Sequence, residues 1–302
     1  MILLIVSPVK SGNFVQGLWS GPVTITNTFE NNQLTVRRTG GSETGQSNNF
    51  DVISSSVDHF EFSIVNSPQE AGVPFNITIT AKDAANNTVV DFSGTGELSD
   101  KTVTIIPKET GSFTNGQWSG AVTITKSIVG NSITVTSSGK ASTSNTFDVN
   151  HAELDHFRFS TIGTPQIAGS PFLVSITAED VYNNKVTSYE SFVTLTEKTG
   201  TITPNTTTNF VNGFWSDQIT ISKSENDVQL QASSSGKNGS SNYFNVVAGA
   251  LNNFSIASLS TQAAGEPFPL KLTALDNNGN VVTSFSGTVD TVSYTHLTLP
   301  TN

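Results

Sequence analysis

Cysteine is absent from all 302 residues. That excludes a disulfide framework and any thiolate metal site or nucleophile. Charge is scarce too, at 13% of residues, and what there is leans acidic, with a formal net charge of −10. A chain of that sign makes no electrostatic case for nucleic acid or an anionic membrane, and its only adjacent basic pair is Arg37-Arg38. No apolar run is long enough to span a bilayer. The short run Met1–Val6 has no basic residue before it, which reads as a core strand rather than a secretion signal. Catalytic signatures are missing as well. His59 and His156 are repeat equivalents, Asn253 stands at that place in the third repeat, and His151 sits in a linker. No Gly-x-Ser-x-Gly elbow occurs. Gly139-Lys140 and Gly236-Lys237 lack the first glycine and the hydroxyl residue of a phosphate loop, with Ala141 and Asn238 in the hydroxyl position. The expectation is a chain that is not an enzyme and holds no cofactor.

What is present is a repeat. Phe113-Thr-Asn-Gly-Gln-Trp118 carries Asn-Gly, the strongest short hairpin signal, because both central residues of a type I′ turn need positive φ. A two-residue turn there pairs Thr114 with Gln117 and sets Phe113 opposite Trp118 as an aromatic pair. The motif recurs as Phe210…Asn212-Gly213…Trp215 and as Phe14…Gln16-Gly17…Trp19, using all three tryptophans. Phe60, Phe157 and Phe254 stand 97 residues apart, as do Phe50, Phe147 and Phe244. A period of that length suits separately cored domains in series rather than a solenoid. The expected division is two complete repeats, 57–153 and 154–250, with 1–56 matching the second half of a repeat and 251–291 the first half of another.

Within a repeat, Phe75, Ile77, Ile79 and Ala81 alternate with Asn76, Thr78 and Thr80; Phe172–Ala178 and Phe268–Ala274 copy the pattern. One apolar and one polar face imply an antiparallel sheet that is wet on its outside. Polar turns follow at Asp83–Asn87, Asp180–Asn184 and Asp276–Asn280. About seven short strands with regular turn signals predict an all-β chain of tandem Ig-like antiparallel β-sandwiches in series. The linkers Ile53–Val57, Asn150–Leu154 and Val247–Leu251 are short enough to permit bending but little separation.

The order Asp-His-Phe-x-Phe, Ala-Gly-x-Pro-Phe, Ile-Thr-Ala-x-Asp, Asn-Gly-x-Trp, Val-Thr-Ile-Thr resembles the bacterial Ig-like repeats of large cell-surface proteins of the invasin and intimin kind. The resemblance covers residues 2–291 and rests on core and turn positions. It implies an extracellular or cell-surface location and a stalk that displays a binding domain lying outside this segment, the ligand itself being unnamed. The expected function is a structural spacer of an adhesin-like surface or secreted protein. The alternative is a carbohydrate-binding accessory module of a secreted glycan-active enzyme. For that alternative, repeat 154–250 places Phe214, Tyr182 and Tyr243 where its sister has Gln117, Ala85 and Thr146. Alternation points Phe214 and Tyr243 outward, where aromatic rings can stack on sugars.

Calcium, which needs six to eight oxygens, has two candidate settings. The first is the Asp83, Asp180 and Asp276 turns, for which local N–H capping is the favoured reading. The second is the junction carboxylates, Asp51 with Asp58 and Asp148 with Glu153 and Asp155. The third junction has only Asn245, Asn252 and Asn253. The expectation is no metal site.

The tail Val292-Ser-Tyr-Thr-His-Leu-Thr-Leu-Pro-Thr301 fits no strand of the repeat. It resembles a translated sequencing adapter, so 292–302 is expected to be an artefact and the chain a fragment. Without the tryptophan hairpin, 251–302 is expected to pack poorly.

Overall fold

Residues 6–293 are described by the computed structural model. Of the short N-terminal run only Val6, and of the adapter-like tail only Val292 and Ser293, fall within the described residues. Among the described residues every regular element is a β-strand. The chain forms two compact units, Met1–Ala152 and Glu153–Asn302.

In the first unit, the long strand Phe75–Lys82 is central, flanked antiparallel by His59–Phe62 and Gln117–Val122. Its alternation is realised: Ile77, Ile79 and Ala81 are buried while Asn76 is exposed. A second layer runs Glu97–Asp100, Ile133–Ser137, Lys140–Thr143, and a third group runs Ile128–Asn131, Phe147–Asn150, Gln69–Glu70. Apolar residues from all three, with Phe60, Phe113 and Phe147 among the largest, fill one core. The second unit repeats this plan, with Phe172–Asp180 central between Leu154–Phe159 and Phe214–Ile221. The architecture is tandem Ig-like β-sandwiches.

Two strand pairs depart from the all-antiparallel expectation. Gln69–Glu70 runs parallel to Val149–Asn150, and Gln166–Ile167 runs parallel to Val246–Val247. The chain crosses between sheets after Phe62 and touches the last strand on the way to Phe75. Two residues carry no readable alternation, so the sequence pattern could not show this pair.

The hairpin turn forms as expected. Asn115 and Gly116 have φ of 50° and 72°, and Thr114 and Gln117 exchange both backbone hydrogen bonds at 2.8 and 3.0 Å. Glycine is required at 116 for space as well: a Cβ there would lie 2.3 Å from the Val89 carbonyl oxygen. The expected Phe113–Trp118 pair is not how these rings pack. Pairing stops after Thr114–Gln117, and the Phe113 N–H turns to the Gly94 carbonyl at 3.0 Å. Phe113 therefore packs on Phe92 and Phe60, with centroids 5.1 and 5.8 Å away. The Trp118 ring lies instead against Gly111 and Gly120, where an added Cβ would meet it at 3.4 and 2.4 Å.

Residues 251–291 keep only the pair Leu251–Ile256 with Leu272–Asp276. Phe254, Ile256, Phe268 and Leu270 of this segment are all exposed. In 1–56, Phe14 and Leu18 are exposed likewise, and Gly17 has nothing within 4 Å of an added Cβ.

Candidate functional site: the joint turn and the exposed aromatics

The polar turn after each central strand is a tight loop closed on its aspartate. In the first unit the Asp83 N–H donates to Asn87 O and the Asn86 N–H to Asp83 O, both at 2.9 Å. Asp83 Oδ1 accepts the N–H groups of Ala85 (3.0 Å) and Asn87 (2.8 Å). This is the capping arrangement that favours Asp at the head of a turn. Asp180 Oδ1 does the same for Tyr182 and Asn184, and Asp276 Oδ1 for Asn278 and Asn280.

The other carboxylate oxygen reaches outside the turn. Asp83 Oδ2 accepts the linker N–H of Ser55 at 3.1 Å and the Asn87 amide at 3.0 Å. Asn87 in turn donates from Nδ2 to the Thr26 carbonyl at 2.7 Å, and its Oδ1 accepts the Thr28 N–H at 3.3 Å. The turn thus ties segment 1–56 to segment 57–152 within one unit. The second unit repeats the pattern between its own segments. Asp276 Oδ2 accepts the Gly249 N–H at 2.9 Å and the Asn280 amide at 2.8 Å. Asn280 donates to Ser222 O at 2.7 Å and accepts from the Ser224 N–H at 2.8 Å.

These contacts set the carboxyl groups' acidity. Burial pushes the Asp83 carboxyl up. The Asn87 amide and the N–H groups of Ser55, Asn87 and Ala85 outweigh it, so the pKa is held below the ordinary carboxylate value. Asp276 is lowered by the same balance, burial against Asn280, Gly249 and Asn278.

Four of the five junction carboxylates named from the sequence, Asp51, Asp58, Asp148 and Asp155, have nearby partners of their own. Asp51 Oδ1 accepts the Asn31 N–H at 2.8 Å, and Asp58 pairs with His59 and Lys140. Asp148 Oδ1 accepts the Gly130 N–H at 2.7 Å, and Asp155 pairs with His156 and Lys237. Among the described residues no cluster of three or more His, Cys, Asp or Glu side chains is placed to hold a metal ion.

Phe214, Tyr182 and Tyr243 are all exposed, Tyr243 most at 64%. They occupy three separate places. Phe214 opens the strand Phe214–Ile221 opposite Thr177, Tyr182 lies in the Asp180 turn, and Tyr243 precedes the strand Phe244–Val247 of another sheet. Beside Thr177 on the same outer face stands Arg158, whose Nε donates to Glu179 Oε1 at 2.7 Å. His156 Nε2 lies 3.4 Å from the other oxygen of Glu179. The sequence reading did not single out this cluster. Its signal is a charge-reversed pair, since the sister repeat has Glu61 and Lys82 at the equivalent positions, 3.3 Å apart.

No protein-family model and no curated protein matches the chain. Solved structures do. The chain is similar to the Escherichia coli adhesin FdeC, at 17% identity and a TM-score of 0.41 over 77% of this chain and 79% of that one. It is similar to Yersinia pseudotuberculosis InvD, at 16% identity and a TM-score of 0.33 over 74% and 71%. It is also similar to domains 4–9 of the surface layer protein SbsC, at 18% and 0.29 over 78% of this chain and 40% of that one. Likeness at this level leaves the activities of those proteins with those proteins.

Proposed function

We propose that this chain is a spacer: a series of folded repeats, 57–153 and 154–250 complete, that separates a functional domain of a large bacterial cell-surface or secreted protein from its anchor. Its partner, an unnamed surface ligand, is bound elsewhere in that protein, and the segment is not an enzyme. One observation carries the reading. What recurs between repeats is the buried core, the hairpin and the turn that ties one segment to the next, whereas the exposed positions change chemistry from copy to copy. A ligand site repeated for binding would keep its exposed residues. A module kept for length keeps its core and its joints.

The test is a glycan array probed with the full chain. The spacer reading expects no specific binding. Specific binding that disappears in Phe214→Ser or Tyr243→Ser would replace it with the carbohydrate-binding reading.

A further inference from the structure

The joints have a property that the spacer reading does not require. At both described joints the incoming segment is recognised through backbone atoms alone. The three linker and loop groups held are an N–H (Ser55 or Gly249), a carbonyl (Thr26 or Ser222) and a second N–H (Thr28 or Ser224). Asparagine suits this task because its carboxamide is a peptide group on a stem. It presents one coplanar donor edge and one acceptor edge, the complement of a backbone C=O and N–H two residues apart. Aspartate supplies the third contact and, through its other oxygen, fixes the turn that aims the asparagine. The loop sequences held this way differ, Thr26-Asn-Thr28 against Ser222-Lys-Ser224, whereas Asp and Asn recur four positions apart in each turn.

We propose that the Asp-x-x-x-Asn turn, at Asp83–Asn87 and at Asp276–Asn280, is a docking element for the repeat segment that precedes it. Its occupant is that repeat's two-strand loop and exit linker, read by backbone geometry and therefore independent of their side chains. Two consequences follow. The joint is set by protein groups without a bridging ion. And repeats carrying the turn are interchangeable in order as far as the three shared contacts go, since these hold Thr26-Asn-Thr28 and Ser222-Lys-Ser224 alike. The second joint adds a bond from Asn278 Nδ2 to the Ala168 carbonyl at 3.5 Å, beside Gly169, where an added Cβ would lie 2.3 Å from the Asn278 amide. The proposal stands apart from the spacer reading, since a glycan-binding array would be joined in the same way.

The absence of cysteine makes the test clean. Spin labels on Val36→Cys and Val129→Cys, both exposed, report the first joint in the full chain by electron–electron distance measurement. Val211→Cys and Ile256→Cys report the other. The parent is expected to give one narrow distance peak at each joint, unaltered by millimolar CaCl2 or by chelator. Asn87→Asp replaces the donor edge with an acceptor facing the Thr26 carbonyl and the Asp83 carboxylate, and the peak at the first joint is expected to be lost to a broad distribution. Asn280→Asp should do this at the other joint only. Thr26→Ala and Thr28→Ala are expected to leave the peak unchanged. Far-UV circular dichroism shows whether each repeat remains folded, and should Asn87→Asp unfold its repeat, the Asn280→Asp pair carries the test. The proposal is overturned if both Asn→Asp variants keep the narrow peak, if Thr26→Ala broadens it as much as Asn87→Asp does, or if calcium narrows it.

Discussion

Trp118 and Trp215 are seated differently, although the hairpin that presents them is the same. Trp118 lies against Gly111 and Gly120 and stays partly exposed. Trp19 in segment 1–56 uses the same two-glycine seat, Gly12 and Gly21. Around Trp215 those glycines are Thr208 and Asp217, so the two-glycine seat is absent. Trp215 instead turns its Nε1–H to Thr208 Oγ1 at 3.1 Å and is only 4% exposed. The repeat preserves the turn and the ring and lets the surroundings be rebuilt. The outer charges are handled alike: Glu61–Lys82 in one repeat is inverted to Arg158–Glu179 in the other, and the inverted carboxylate has sunk to 4% side-chain exposure against 64% for Glu61.

The largest expected difference is at tryptophan. Trp215→Ala should cost about 3–5 kcal/mol. Trp118→Ala should cost less by about 1 kcal/mol, since the indole hydrogen bond alone contributes about 0.5–1.5 kcal/mol and more of the ring is already in water. Urea unfolding of the full chain, resolved by repeat through hydrogen exchange, checks both, and equal losses would break the comparison of seats.

Next is the contact between the first strand and the last hairpin. Ser142 Oγ accepts the Phe60 N–H at 2.8 Å. Gly239 holds the equivalent place in the other repeat, and a Cβ there would lie 1.9 Å from the Phe157 carbonyl oxygen. Gly239→Ala should therefore cost about 1–3 kcal/mol through forced backbone shifts. Ser142→Ala removes only an acceptor and should cost about 1–2 kcal/mol. Chemical denaturation of each variant tests the order, and a Gly239→Ala protein as stable as the parent would contradict the close approach.

Acid should loosen the joints. The Asp83 and Asp276 carboxyls are lowered in the folded chain. Their stabilisation is therefore present above the unfolded carboxylate pKa of about 3.9 and is lost as pH falls through the lower folded value. Melting temperature measured from neutral to strongly acidic pH should drop in that window. Asp83→Asn, expected to cost about 1–3 kcal/mol at neutral pH, should flatten the drop for its repeat. A slope unchanged by the substitution would remove the carboxylate from the account.

The charge pairs sharpen the contrast at smaller scale. Arg158→Ala strips a buried carboxylate of its hydrogen-bonded cation and should cost about 1–3 kcal/mol, while Lys82→Ala, facing a solvated Glu61, should cost about 0.2–1 kcal/mol. The smallest effects belong to the exposed rings. Phe214→Gln and Tyr243→Thr, which restore the residue types of the sister repeat, should change stability by no more than about 0.5 kcal/mol. Thermal melts of the four variants measure both sets, and a large loss at Phe214 would mean that its ring packs within the repeat.

The sequence by itself determined the period, the strand with its alternating faces, and the Asn-Gly turn. Each is a local rule: side chains alternate along a strand, and only certain residues accept positive φ. It also showed Asp83 and Asn87 as a capped turn, because Oδ1 acts within five residues. Tertiary structure alone decided the rest. The second oxygen of Asp83 and the amide of Asn87 act on residues 28 to 61 positions away, which no spacing rule reports. Whether Phe113 faces Trp118 depended on where the Phe113 N–H found its acceptor, and that acceptor, Gly94, came from a different part of the chain. Backbone groups must be satisfied wherever a partner lies nearest in space, and that choice is made by the assembled fold.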